Sequence, residues 1–131
     1  MERIFTPEEA NGALQELRPL VEELVAAKRA LDQAQEGADE VSVKISGNGG
    51  GLPPAQLAEV QDLIRRRATA LARVLEQVQA LGVIVKDLDS GLVDFPSVRE
   101  GEGVLLCWQL GEDEVAFWHG YEDGYAGRRP I

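Results

Sequence analysis

The chain has a single cysteine, Cys107, a single histidine, His119, and only 5% aromatic residues. One cysteine excludes an internal disulfide, so the fold must be held by packing, and a reducing cytoplasm is the expected setting. One histidine excludes sites assembled from several, and no Cys-x-x-Cys or His-Glu-x-x-His spacing occurs, so neither a metal nor another cofactor is expected. No apolar run approaches the roughly 20 residues of a membrane span, and the opening MERIFTPEEAN lacks the apolar core of a signal peptide. A soluble, cytoplasmic protein without a membrane partner is expected. Positive charge is scarce as well. Thirteen Lys and Arg against 23 Asp and Glu give a net charge of −10, which argues against a nucleic-acid partner. Arg65, Arg66 and Arg67 do not alter this, because three consecutive helical residues fan over about 200°.

What remains is a chain of 131 residues, 44% apolar and 27% charged, the balance of a soluble globular protein. One domain spanning residues 1–131 is expected. Thr6-Pro7-Glu8-Glu9 reads as a helix start: Thr6 caps, Pro7 suits the first helical position, and Glu9 completes a capping box. Ala10, Leu14, Leu17, Val21, Leu24 and Leu31 then recur at helical steps. Pro19 lies inside this pattern and withholds a donor from the carbonyl of Gln15, which predicts a kink. Over Glu40 to Ser46 two patterns overlap, since EVSVKIS alternates like a strand while Ala34, Ala38, Val41 and Ile45 keep the helical step. A helix to about Ser46, broken near Gly37, is favoured. Gly47 to Pro54 reads as a helix–helix connection. It lacks the Gly-Lys-Ser/Thr ending of a phosphate loop. Pro53-Pro54 opens a second helix with an apolar stripe from Leu57 to Leu81, and Gly82 stops it.

Beyond Gly82 the period changes to two. VIVKDL and LVDFP flank the turn DSG, and VLLCWQL and VAFWHG flank GEDE. The fold class expected is α+β: a long antiparallel helical hairpin over residues 1–82, then a small antiparallel sheet of about four strands in two hairpins with a C-terminal tail, residues 83–131. Pairing Leu88 with Leu92 sets Lys86 opposite Asp94 and gives Val83, Val85, Val93 and Phe95 one shared face. Pairing Leu110 with Val115 puts Trp108 opposite Phe117 and sends Cys107 and His119 to opposite faces, which argues against a nucleophilic pair. Cys107 then reads as a buried, inert thiol.

Any site is thereby confined to the sheet rim and tail. His119 is the candidate acid–base residue. It would otherwise be satisfied by a backbone carbonyl or a carboxylate such as Glu122. Arg128 either receives an anionic ligand or pins the tail by pairing with Asp87 or Asp94, and Trp118 and Asp94 complete the candidate ligand-binding set.

The segments FTPEEAN, GLVDFP, LLCWQLGE, WH and GYAGR, in this order, resemble a mainly bacterial, uncharacterised family catalogued as domain of unknown function twenty-two-zero-three. The matching positions are Phe5, Thr6, Glu8 to Asn11, Gly91 to Pro96, Cys107, Trp108, Leu110 to Glu112, Trp118, His119, Gly124 and Ala126 to Arg128. The resemblance implies that the C-terminal block is one folded unit, and it transfers no catalytic role.

A 30-residue helix spans about 45 Å, whereas strands of five or six residues span about 17–20 Å. The sheet cannot cover both helices. The leading expectation is therefore a non-enzymatic interaction module that forms a homodimer through its helices. The alternative is a small-molecule (anionic ligand) binding protein or enzyme centred on His119 and Arg128. A further reading, docking of an unidentified protein partner, predicts an apolar stripe left exposed in the oligomer.

Overall fold

The expected capping box starts the first helix: the Thr6 amide donates to Glu9 Oε1 at 3.0 Å, and the Glu9 amide to Thr6 Oγ1 at 3.1 Å. The Thr6 amide, and after it the Thr6 hydroxyl, hold the Glu9 carboxyl below its ordinary pKa. The structure, a computed structural model, describes the backbone of residues 3–47 and 52–131 and the side chains of residues 3–42 and 52–131. Helix α1 runs Pro7–Gly47 as one element through both Pro19 and Gly37. The strand pattern over residues 40–46 loses to helix because a strand needs a paired edge, whereas Val41 continues a helix already propagating beside its neighbour. Of the connection expected over Gly47 to Pro54, residues 48–51 lie outside the described residues.

Helix α2, Pro54–Ala80, begins with Pro54 in its first turn. Gly82 ends it at φ 91°, its amide donating to the Gln79 carbonyl at 2.9 Å. A Cβ at Gly82 would also stand 2.9 Å from that of Arg3, whose guanidinium donates to the Leu81 carbonyl.

Five strands follow as an antiparallel meander: β1 Ile84–Asp87, β2 Leu92–Arg99, β3 Glu102–Gln109, β4 Phe117–His119 and β5 Arg129–Pro130. The expected sheet of about four strands gains a fifth because the end of the tail turns back and pairs Trp118 with Arg129 and Phe117 with Pro130. One sheet face, with Val93, Phe95, Leu106 and Trp108, closes on Ala10, Leu14, Leu17, Val21 and Leu24 of α1 and Val74 and Val78 of α2. Phe5 meets Phe95 edge to face at 5.1 Å. The shared face expected for Val83, Val85, Val93 and Phe95 is present in this core. Burying such a Val, Leu or Phe side chain contributes about 1.5–3 kcal/mol, so this contact patch anchors the helices to the sheet.

Both hairpin registers differ from expectation, for local reasons. In the first, Ile84 stands opposite Asp94, Val85 opposite Val93 and Asp87 opposite Leu92, with an irregularity at Lys86. Asp87 closes the turn early: its carboxylate accepts from the Ser90 amide and hydroxyl, and its carbonyl accepts from Gly91. Lys86 is therefore not the cross-strand partner of Asp94.

In the second hairpin Leu105 pairs with His119, Leu106 with Trp118 and Cys107 with Phe117, one residue away from the expected alignment. Leu110 and Val115 are not free to pair with each other. The Leu110 amide donates to the Gly91 carbonyl at 3.1 Å. Val115 is clamped by α1, its amide donating to Asn11 Oδ1 at 2.7 Å and its carbonyl accepting from Asn11 Nδ2 at 3.2 Å. The expected Trp108–Phe117 pair does not form. Trp108 instead lies opposite Val93 in the core, with its indole N–H donated to the Glu112 carbonyl.

Candidate functional site

A one-residue change of register carries every side chain of a strand to the other face. The observed register therefore reverses the expected separation of Cys107 and His119. Asp94 on β2 is the direct partner of Cys107 on β3, and His119 stands opposite Leu105, two residues along from Cys107. All three project from the sheet face that does not pack on the helices, and all three are buried. One donor atom from each residue lies within 4.8 Å of the other two, the only such group of three or more His, Cys, Asp or Glu among the described residues.

The histidine ring is held at both nitrogens. Nδ1 lies 2.8 Å from the Gly120 carbonyl and Nε2 lies 3.1 Å from Asp94 Oδ1. A carbonyl only accepts, so Nδ1 carries a hydrogen. The carbonyl partner was expected, but the carboxylate is Asp94 rather than Glu122. Burial, the Asp94 charge beside it and a hydrogen bond to Asp94 push the Cys107 thiol up to about 12, against the opposing pull of the Arg128 charge. A nucleophilic relay would need a thiolate on one ring nitrogen and the acid on the other. Here the nitrogen opposite Asp94 is spent on Gly120, and the thiol is protonated at neutral pH. The arrangement is not an activated cysteine.

Arg128 packs over this cluster from the tail. Its Nη2 donates to Glu112 Oε1 at 2.6 Å and to the Cys107 carbonyl at 3.3 Å, so the expected pairing with Asp87 or Asp94 is replaced by one with Glu112. The guanidinium also stacks 4.2 Å from the Phe117 ring centroid and 4.6 Å from that of Tyr125. Burial is the largest single influence and works against its charge, but the hydrogen bond and charge of Glu112 together with Cys107 and Tyr125 outweigh it, and its pKa is raised. Its Nε is buried without a partner. Arg128 is therefore a pin that closes the tail over β3 and β4.

A cleft of about 220 Å³ opens beside the cluster, lined by Lys86, Leu92, Asp94, His119, Tyr121, Gly124 and Tyr125. Lys86 reaches this cleft although it is not opposite Asp94. The sequence-derived set His119, Arg128, Asp94 and Trp118 is thus split. The first three converge on the outer face, whereas Trp118 lies opposite Leu106, with the Arg99 and Arg129 guanidinium groups 4.8 Å and 5.3 Å from its ring centroid.

Cys107 was missed as a participant because its face followed from the wrong register. The available signal was Asp94, an ionisable residue set between Val93 and Phe95 in the middle of a strand. A carboxylate in that position is buried only with a partner.

The uncharacterized conserved protein family DUF2203 matches the chain over residues 3–131. The chain belongs to this family. The match takes in both helices and the whole sheet, so the Asp94–Cys107–His119 cluster and the helical arm lie within the family unit. No curated protein and no solved structure matches the chain.

Proposed function

We propose that the protein is a self-associating, non-enzymatic interaction module whose helical arms pair between two copies. One observation carries this reading: from Val25 to Ser42 on α1, and from Pro54 to Arg73 on α2, no described residue is buried, although the segments carry Leu31, Val41, Val60, Leu63, Ile64 and Leu71. Helix α1 has 41 residues, about 60 Å, against eight in the longest strands, about 27 Å. The arm outruns the sheet and has only its two-helix seam to bury. A second arm completes a four-helix layer and covers the half-buried side chains.

Charge supports a pairing of α1 with α2 between copies. Along α1 nine Asp and Glu stand against Arg18, Lys28, Arg29 and Lys44, whereas on α2 Arg65, Arg66, Arg67 and Arg73 outnumber Glu59, Asp62 and Glu76. The setting we infer is the reducing cytoplasm of a bacterium, supported by the single, free cysteine. Among the described residues no helix is long and apolar enough to cross a membrane.

Light scattering at micromolar concentration tests the proposal. A mass twice 14.2 kDa is expected, and Leu57→Glu on the exposed face of α2 weakens the dimer while the monomer still folds. A wild-type mass of 14.2 kDa removes the proposal.

A further inference from the structure

The buried outer-face cluster poses a question separate from self-association. His119 Nδ1 is a donor to Gly120, so the neutral ring presents a lone pair at Nε2, aimed at Asp94 Oδ1 from 3.1 Å. Two acceptors that face each other in a buried site need a positive centre between them, either a proton or a metal ion. A shared proton satisfies Asp94 and His119 alone. It gives no reason for a third donor, the Cys107 sulfur, to converge on the same point from the neighbouring strand, where any small apolar side chain would fill the space.

We propose that Asp94 Oδ1, Cys107 Sγ and His119 Nε2 form a three-ligand site for a divalent metal ion of the zinc type, with a fourth position facing the cleft beside Lys86, Tyr121 and Tyr125. Carboxylate, thiolate and imidazole together are the donor set of zinc and cobalt(II), whereas magnesium and calcium take oxygen alone. Mutual separations of at most 4.8 Å leave room for a central ion after small side-chain adjustment. The Nδ1–H bond to the Gly120 carbonyl is the outer contact that fixes a metal-binding imidazole in the required tautomer. Arg128, whose Nη2 donates to the Cys107 carbonyl, brings a positive charge that opposes burial and the Asp94 charge without overcoming them, so the thiol keeps its proton until a cation displaces it.

The charge balance allows this exchange in a buried site. Without metal, Asp94 and His119 share one proton and Cys107 keeps its own, so the cluster is neutral. Binding of M²⁺ forms bonds to oxygen, sulfur and nitrogen, releases the shared proton and the thiol proton to solvent, and leaves the cluster neutral again. No oxidant or reductant is required. Three protein ligands and an open fourth position leave the ion able to take water or an anionic ligand from the cleft, where Lys86 and the two tyrosine hydroxyls supply hydrogen-bond donors.

The test uses the untagged full chain, stripped with a chelator and titrated anaerobically with cobalt(II). One ion per chain is expected to bind, with the near-ultraviolet charge-transfer band of a thiolate–cobalt bond and the visible bands of a four-coordinate ion, both displaced by zinc. Cys107→Ser loses the charge-transfer band, and His119→Gln and Asp94→Asn each weaken affinity by at least about tenfold. Wild-type protein also melts at a higher temperature in excess zinc than in chelator. A charge-transfer band that is absent at stoichiometric cobalt, or that survives Cys107→Ser, overturns the proposal. So does a wild-type melting temperature that zinc leaves unmoved, and this measurement stands even where a variant fails to fold.

Discussion

Replacing Asn11 by Ala removes the two bonds that hold Val115 to α1 and with them the constraint that sets the β3–β4 register. The Asn11 side chain accepts from the Val115 amide at 2.7 Å and donates to its carbonyl at 3.2 Å, imitating a strand partner. Val115 is only 3% exposed, so water cannot fully replace either partner. Leaving a buried donor and acceptor unsatisfied costs about 1–3 kcal/mol each, and partial access for water puts the pair near the lower half of that range. Alanine returns about 0.6 kcal/mol through its better helix propensity. The expected net loss is about 2–3 kcal/mol, which for a chain of this length lowers Tm by about 10 °C. Thermal and urea melts at one fixed protein concentration measure it, because self-association would otherwise move Tm with concentration. Hydrogen exchange supplies the local readout: the Val115 amide, protected in the wild type, exchanges rapidly in the variant. Asn11→Asp keeps an acceptor for the amide but turns an oxygen toward the Val115 carbonyl, so it is expected to cost at least as much at neutral pH. A loss below about 0.5 kcal/mol for Asn11→Ala, within the range of inert surface changes, would refute the claim that this amide fixes the loop.

Two further outcomes are expected. Arg128→Met keeps much of the apolar contact with Phe117 and Tyr125 but leaves Glu112 without its cation, so the tail from Tyr121 to Ile131 should become sensitive to limited proteolysis under conditions where the wild type resists it, and unchanged resistance would count against the pin. Asp87 has its pKa lowered from 3.8 by the Ser90 hydroxyl and amide, so its contribution to stability is present above that value and is lost as pH falls through its depressed folded-state pKa. Tm measured from pH 5 downward should therefore fall less steeply for Asp87→Asn than for the wild type below pH 4, and parallel curves would remove Asp87 as a contributor.

The elements legible in the sequence are those whose determinants are local. The Thr6–Glu9 box, the apolar steps from Ala10 to Leu24 and the glycine stop at Gly82 each lie within one turn or one stripe, and each is found in the fold. The helix beyond Gly37 was readable too, because Leu31, Ala34, Ala38 and Val41 keep one period where the alternating reading needs a partner strand. What could not be read was register. Whether Leu110 pairs with Val115 depends on Gly91, about 20 residues upstream, and on Asn11, at the other end of the chain. Polar side chains that bond to distant backbone leave no periodic trace.

That gap decides the site. In the locally most economical hairpin, Cys107 would share a face with Trp118 and could never approach His119. The Asn11 amide prevents this hairpin by occupying both backbone groups of Val115, and Asp87 prevents the symmetrical first hairpin by capturing Ser90. The Asn11 capture, worth only a few kcal/mol, thereby brings His119 onto the face where Asp94 and Cys107 are already paired, while the Asp87 capture acts on β1 alone and keeps Lys86 from standing opposite Asp94. The cluster is a product of tertiary constraint on register, and it follows that perturbing Asn11 should weaken cobalt binding at Asp94, Cys107 and His119 although the Asn11 side chain contacts α1 and the Val115 backbone. If Asn11→Ala folds and binds cobalt with the affinity of the wild type, the register is held by the strands themselves and the clamp only stiffens the loop.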